Sequence, residues 1–528
     1  MRQARQETTR TVTMATDIPK QALTVGDIAR HLGGVSPERI ALREGERCLS
    51  YADVNRQADG LATALGRLGV RNGDIVAVFL PSCIDYLLVV LATARVGAVF
   101  SPINPRYKIK EVTDIVARAR PGVVFTDDER LILLETAIAD VGLHTPRMIL
   151  SGPGQEKARG DSGPLSFNRL VETDPGPVPP VSGDDLFSLM FTSGTTGTPK
   201  GALATHRARM LWVLNAVALY GFSADDVYLS VMPQVHSAGL TFALMHLYVG
   251  GTVEILRDFD PVDFLELVER HGVTSSLAVP SMLTMILETL DRTDRSFDFS
   301  SLRRLVSCGA PLEPGRKKQI IERLTPHLYD YYGSTESNSM TVLMPQDQLR
   351  KPASVGKPFS NVELKIATAD GSPRPAGETG LIWCRNPSVM MGYLGQEEET
   401  RAVFRDGWFN TDDLGYLDDE GFLFLVGRET DIINSGGFNI YPREIEQVLF
   451  KHPGVLDCAV VGAPHPTWGQ AVSAYIVERE GWNLGLTEVQ DHVSQHLADF
   501  KKPRKVKFVK SLPKNAGGKT IKSALPPM

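Results

Sequence analysis

Cysteine is scarce. The chain has five in 528 residues, Cys48, Cys83, Cys308, Cys384 and Cys458, and no two form a C-x-x-C pair. That scatter fits reduced thiols in a cytoplasmic protein and argues against a disulfide framework or a zinc site. Long apolar runs are missing too. The most apolar stretch, Tyr86 to Phe100, carries Arg95 and Gly97 and falls short of the ~20 residues a membrane span needs. It reads as a core helix running into a strand, so no integral membrane association is expected. Neither sign of charge dominates: 56 Lys and Arg against 62 Asp and Glu leave −6, which makes no electrostatic case for nucleic acid. A Walker A loop, G-x-x-x-x-G-K-[ST], is also absent. At Gly197 the chain continues Thr198-Pro199-Lys200-Gly201, and before Gly518-Lys519-Thr520 the required first glycine is Pro513.

What remains is the composition of a globular protein, 42% apolar and 22% charged, long enough for two or three domains. Residues 1–24 read as a disordered tail. Arg2, Arg5 and Arg10 among threonines suggest a transit peptide, but Glu7, the absence of serine and the lack of an apolar face oppose it. Met14 is an alternative start. His31-Leu-Gly-Gly-Val-Ser36 resembles the serine motif of a phosphopantetheine carrier, yet the thirty residues before it are too few for that helical bundle.

The chain is organised around Thr192-Ser193-Gly194-Thr195-Thr196-Gly197-Thr198-Pro199-Lys200-Gly201. The apolar run Leu186–Phe191 before it predicts a buried strand, and Met210, Val213, Leu214, Val217 and Ala218 beyond it fall at helical spacing. A strand-to-helix loop is expected. Its glycines let backbone N–H groups approach an anion, its hydroxyls add donors, and Lys200 adds a positive charge, which suits a polyphosphate. Elsewhere short strands (Val76–Leu80, Ala98–Phe100, Tyr228–Met232) alternate with helical stretches, as in an α/β fold. Asp330-Tyr331-Tyr332-Gly333-Ser334-Thr335-Glu336 offers an aromatic face, a hydroxyl and a carboxylate within one turn.

Taken in order, these stretches resemble the motifs of the adenylate-forming superfamily, in its acyl- and aryl-CoA synthetase branch, over residues 25 to 525. The resemblance implies a large multi-subdomain α/β domain over 25–428, a hinge at 429–431 around Thr430, and a small mobile α+β lid over 432–528. It also implies the roles that follow. Thr192 to Gly197 and Lys200 would bind the ATP phosphates. Gly309, Ala310 and Pro311 would flank adenine, with Asp330, Tyr331, Tyr332 and Gly333 beside them and Tyr332 against the ring. Thr335 would reach the α-phosphate, and Thr196 and Glu336 would hold Mg²⁺. Asp413 would bind the ribose hydroxyls, with Arg428 closing the large domain. His236, Cys308 and Gly309 would border the acyl pocket. Gly436 and Gly437 would approach the pantetheine arm of CoA, and Lys519 would be the catalytic lysine beside Thr196, Glu336 and His236. Three positions depart from the family pattern: Asp412 replaces a glycine, Thr430 a charged hinge residue, and Gly517 a threonine.

The activity implied is ATP-dependent ligation of a carboxylic acid to coenzyme A through an acyl adenylate, and a homodimer is compatible with it. A stand-alone ligase loading a carrier protein is the alternative; an adenylate sensor without turnover is a third reading. Cys308 places a side chain where glycine is common, and no Arg or Lys lies in the His236, Pro280 and Cys308 segments. The expected acid is therefore a small to medium or single-ring monocarboxylate.

Overall fold

A computed structural model describes residues 23–157, 163–192, 199–435, 438–514 and 520–528. The tail and the residues Ser193 to Gly197, Gly436, Gly437, Gly517 and Lys519 lie outside the described residues.

Apolar runs too short for helices become two sheets. In the first, Leu186–Thr192, Val99–Pro102, Ile75–Phe79, Val123–Thr126, Arg147–Leu150 and Leu165–Ser166 run parallel in that spatial order. In the second, Leu328–Ser334, Arg304–Ser307, Ser275–Ala278, Val227–Ser230, Thr252–Ile255 and Ile40–Glu44 do the same. Antiparallel strands complete one edge of the first sheet and both edges of the second, giving eight and nine strands.

Between the sheets lie helices that have no polar face. Every residue of Ile84–Arg95 is buried, which is why its sequence is apolar all round. Arg95 ends it with a 2.8 Å ion pair to Asp59. The helices His206–Tyr220 and Ser237–Val249 share the space, and one buried cluster joins residues of both sheets, among them Phe100, Phe187, Tyr228 and Val253.

The phosphate loop is not a strand-to-helix connection. Lys200–Thr205 is a strand, antiparallel to Leu186–Thr192, with Thr192 opposite Lys200; the helix starts only at His206. The strand hides in sequence because Gly201-Ala202-Leu203-Ala204 is small-sided and merges with the helical pattern behind it. Its tightness demands that smallness: a Cβ on Gly201 would lie 2.7 Å from Leu189 Cδ1.

A third, five-stranded sheet pairs Trp408–Leu417 with Gly380–Arg385 and Leu423–Arg428. After the turn Glu429–Asp431, the long hairpin Val455–His465/Gly469–Glu478 anchors a separate sheet. Ile445, Val448 and Leu449 of the helix Pro442–Leu449 pack there in a core of their own. No helix among the described residues is long and apolar enough to cross a membrane, and all five cysteines are free thiols.

Candidate active site

In open α/β sheets ligands sit outside the carboxyl ends of the strands. There the second sheet places the turn before Ser237, the Cys308 segment and the Ser334–Glu336 turn. A surface cavity of about 400 Å³ under Phe299, Arg303 and His327 is at the opposite, amino end.

Glu336 is a junction. Its Oε1 accepts from Thr192 Oγ1 at 3.1 Å and from the Tyr393 hydroxyl at 3.4 Å. Tyr393 arrives on the strand Gly392–Tyr393, which pairs with the loop hairpin opposite Leu203 and Ala202. Lys200 Nζ stands 5.1 Å from the centre of its ring. The mouth of the phosphate loop thus gathers a carboxylate, a hydroxyl, a phenol and an ammonium from three segments. Burial raises the Tyr393 phenol, and Glu336 raises it further, so it stays a donor. Glu336 sits on a turn whose entry requires glycine: a Cβ on Gly333 would meet Asn338 O at 1.9 Å.

The second cluster is built on the third sheet. Asp413 faces Arg428 across an antiparallel pair; its Oδ1 is 3.2 Å from Arg428 Nε, and its Oδ2 accepts from the Tyr332 hydroxyl at 2.6 Å. Burial would depress the Arg428 guanidinium, but Asp413, Tyr332 and further acids outweigh it and raise its pKa. Neighbouring Asp412 adopts φ 59, a left-handed conformation that aspartate tolerates better than most residues. Burial lifts its carboxyl above the usual value against the pull of Lys200 and Arg428, though the residue as a whole is exposed.

Asp330 forms a buried ion pair with Lys317, Nζ to Oδ2 3.0 Å, with side chains 8% and 1% exposed. Burial raises the Asp330 pKa, with Lys317 and then Arg443 opposing. Arg443, on the helix Pro442–Leu449, carries a C-terminal guanidinium into the electrostatic range of Asp413, Asp330 and Tyr332. Nothing local in the sequence signals Lys317, Tyr393 or Arg443 as members of this site.

The remaining expected residues lie beyond the carboxyl ends of strands of the second sheet. His236 caps the helix Ser237–Val249, and its backbone N donates to Pro233 O. The Cys308 thiol is buried, which pushes its pKa up to about 12, while a hydrogen bond to Tyr331 works against the rise. Gly309 follows at φ 83, leading into Ala310 and Pro311. Thr335 is in the turn before Glu336. As to metal, no group of three or more His, Cys, Asp or Glu gathers among the described residues. A single hard carboxylate beside a hydroxyl fits Mg²⁺, which keeps most of its shell for water and phosphate oxygens.

These features define a nucleotide-handling α/β protein with a separate C-terminal unit facing its crevice. The family model for AMP-binding enzymes matches residues 30–394, and that for the AMP-binding enzyme C-terminal domain matches 444–519. The chain is 35% identical to a feruloyl-CoA synthase from Amycolatopsis over 92% of its length and 95% of that protein's. It is 34% identical to an indoleacetate–CoA ligase from Aromatoleum aromaticum, over 94% and 96%. Among solved structures, ATP-bound MatB from Rhodopseudomonas palustris superposes with a TM-score of 0.85 at 30% identity, covering 95% of this chain and 98% of that one. The chain belongs to the AMP-binding enzyme family, in the acyl- and aryl-CoA synthetase branch of the adenylate-forming superfamily.

Proposed function

We infer that the protein joins a carboxylic acid to coenzyme A in two steps within this crevice. A carboxylate oxygen attacks the α-phosphorus of ATP, the bond to the bridging oxygen breaks, and pyrophosphate leaves with the electron pair. The thiol sulfur of CoA then attacks the acyl carbon and gives up its proton, and the carbon–oxygen bond to AMP breaks. The observation that carries this reading is the meeting of Thr192, Glu336, Tyr393 and Lys200 in one cluster, beside a second formed by Tyr332, Asp413 and Arg428. The first group suits a polyphosphate and the second a nucleoside.

In this scheme Lys200 and Thr196 hold the departing pyrophosphate, and Thr335 reaches the α-phosphate. Asp413 accepts from the ribose hydroxyls, and Tyr332 lies against adenine. Lys519 bridges the carboxylate and the nucleotide, stabilising a step that brings two anions together. Magnesium, held by Glu336 and Thr196, would neutralise phosphate charge when bound. Gly436 and Gly437 admit the pantetheine arm after the unit beyond Glu429–Asp431 turns about Thr430. His236 and Cys308 border the acid, which is of small to medium or single-ring size; relatives named for feruloyl and indoleacetate thioesters favour an aromatic one. The free thiols support a cytoplasmic setting.

The test is ATP–pyrophosphate exchange against a panel of acids, followed by CoA consumption with the best of them. Exchange without CoA consumption would point to a carrier-protein thiol, and no exchange with any acid would sink the ligase reading.

A further inference from the structure

Lys522 follows Lys519 by three residues, and its ammonium meets three separate elements. Nζ donates to Val460 O at 2.9 Å, on the hairpin strand Val455–His465. It forms an ion pair with Glu446 Oε1 at 3.0 Å, on the helix Pro442–Leu449. It also stands 3.8 Å from Asp431 Oδ2, in the turn Glu429–Asp431 that joins the two units. Glu446 is itself fixed, because the same Oε1 accepts from Val460 N at 2.8 Å. The Lys522, Glu446 and Asp431 side chains are 26%, 18% and 36% exposed, so water reaches the group and its pairs add little to stability. What they connect matters more.

The chain on both sides of Lys519 is fastened to the hairpin. Upstream, Lys514 Nζ is 2.7 Å from Asp457 Oδ2. Thr520, the residue after Lys519, pairs antiparallel with Lys514, and Ile521 N donates to Pro513 O at 2.8 Å. Downstream, Leu525 packs with Leu512 against Ala459, Tyr475 and Val477, and the Tyr475 hydroxyl donates to Pro526 O. These contacts, with Val460 and Glu446, account for a tail held on its own unit. They leave Asp431 without a role, since it belongs to the connecting turn and not to that unit's core. Asp431 also faces the other way. Against burial, Asp413, Tyr332 and Asp431, in that order, raise the Arg428 guanidinium. Charges of alternating sign therefore run from Asp413, assigned to the ribose, through Arg428 and Asp431 to Lys522 and Glu446.

We propose that Lys522 is a positioning residue for adenylation: through Asp431 it fastens the Lys519-bearing end of the chain to the first residue beyond Thr430. Rotation at Thr430 and displacement of that end are then one motion, and the Arg428 side of Asp431 registers the end against the ribose-binding carboxylate. This rests on the ligase reading and on the assignment of Lys519 within it. The physical reason is precision, since a misplacement of about 1 Å in a group that aids a reaction costs about 10²-fold.

The test compares Lys522→Met, Lys522→Arg and Asp431→Asn in pyrophosphate exchange with ATP varied, and in single-turnover thioester formation from supplied acyl adenylate. Lys522→Met and Asp431→Asn are each expected to lower kcat for exchange by about tenfold or more. KM for ATP and the rate of thioester formation should both stay within about threefold of wild type, because neither draws on Lys519. The double variant should be no slower than the slower single one, as two partners in one contact are not additive. Lys522→Arg keeps the charge and should recover most of the exchange. Equal losses in both half-reactions would make Lys522 a structural fastening and overturn the proposal; so would normal exchange in Asp431→Asn. Where Lys522→Met fails to fold, Asp431→Asn decides alone, since Asp431 lies outside the C-terminal core. Either of those results leaves the ligase reading standing, whereas no exchange by the wild-type protein with any acid would remove both.

Discussion

The Tyr332 hydroxyl donates to Asp413 Oδ2 across 2.6 Å, although 81 positions separate the two residues. With Arg428 on the other oxygen, the carboxylate is held in one orientation before any nucleotide arrives. Such pre-orientation is what a bidentate contact to two ribose hydroxyls needs.

Asp413→Ala should therefore raise the KM for ATP far more than Asp412→Ala. Loss of a charge-assisted contact is worth about 1.5–3 kcal/mol, whereas Asp412 bonds locally, its backbone N donating to Asn410 Oδ1. Initial-rate kinetics in ATP decide it. Equal effects, or the reverse order, would displace the ribose site from Asp413.

Lys519→Ala should abolish adenylation and spare thioester formation from supplied acyl adenylate. The lysine is assigned only to the step that pairs two anions, and its removal should slow that step by about 10²-fold or more. Single-turnover assays of each half-reaction read this directly, and equal losses in both would end the assignment.

Thr430→Pro addresses the connection between the two units. Thr430 is the middle residue of the single turn Glu429–Asp431. Proline there fixes φ near −65° and restricts Glu429 as well. If the C-terminal unit must turn here, pyrophosphate exchange should stay within about tenfold of wild type while thioester formation becomes much slower. Two unchanged rates would place the hinge elsewhere.

Two buried histidines set an acid limit on stability. Burial lowers His206 and His246 from 6.5 to about 4. A depressed folded pKa means that the unfolded chain binds more protons between those values, so stability is fully present above pH 6.5 and is lost as pH falls through about 4. His246 Nδ1 donates to Phe242 O at 2.7 Å, and its Nε2 pairs with Ser275 Oγ at 2.8 Å. His246→Gln should lower the thermal midpoint at pH 7.5 and flatten its decline toward pH 5. An unchanged slope in calorimetry would show that His246 does not titrate on unfolding.

The sequence carried the residues whose signal is local. Tyr332, Glu336, Asp413 and Cys308 stand in short motifs, and the structure brings them to one crevice. It did not carry partners supplied by distant segments: Lys317 reaches Asp330 from a helix of ordinary surface pattern, and Arg443 comes from the C-terminal unit. The strand Lys200–Thr205 was illegible for a different reason. Alternation marks a strand only when one face is large and apolar, and here close packing on Leu189 and Phe191 requires small side chains.

The ladder that closes the phosphate loop also limits how the protein can change. Thr192 opposite Lys200, Phe191 opposite Gly201 and Met190 opposite Ala202 form consecutive rungs, with Tyr393 added on the far side of Ala202. Inserting one residue in either strand would turn every later side chain to the wrong face and part Tyr393 from Glu336. Lineages derived from this chain can vary the loop's composition but not the lengths of its flanks, and anyone grafting the loop onto another scaffold must carry over the hairpin from Leu186 to Thr205, together with the strand that bears Tyr393.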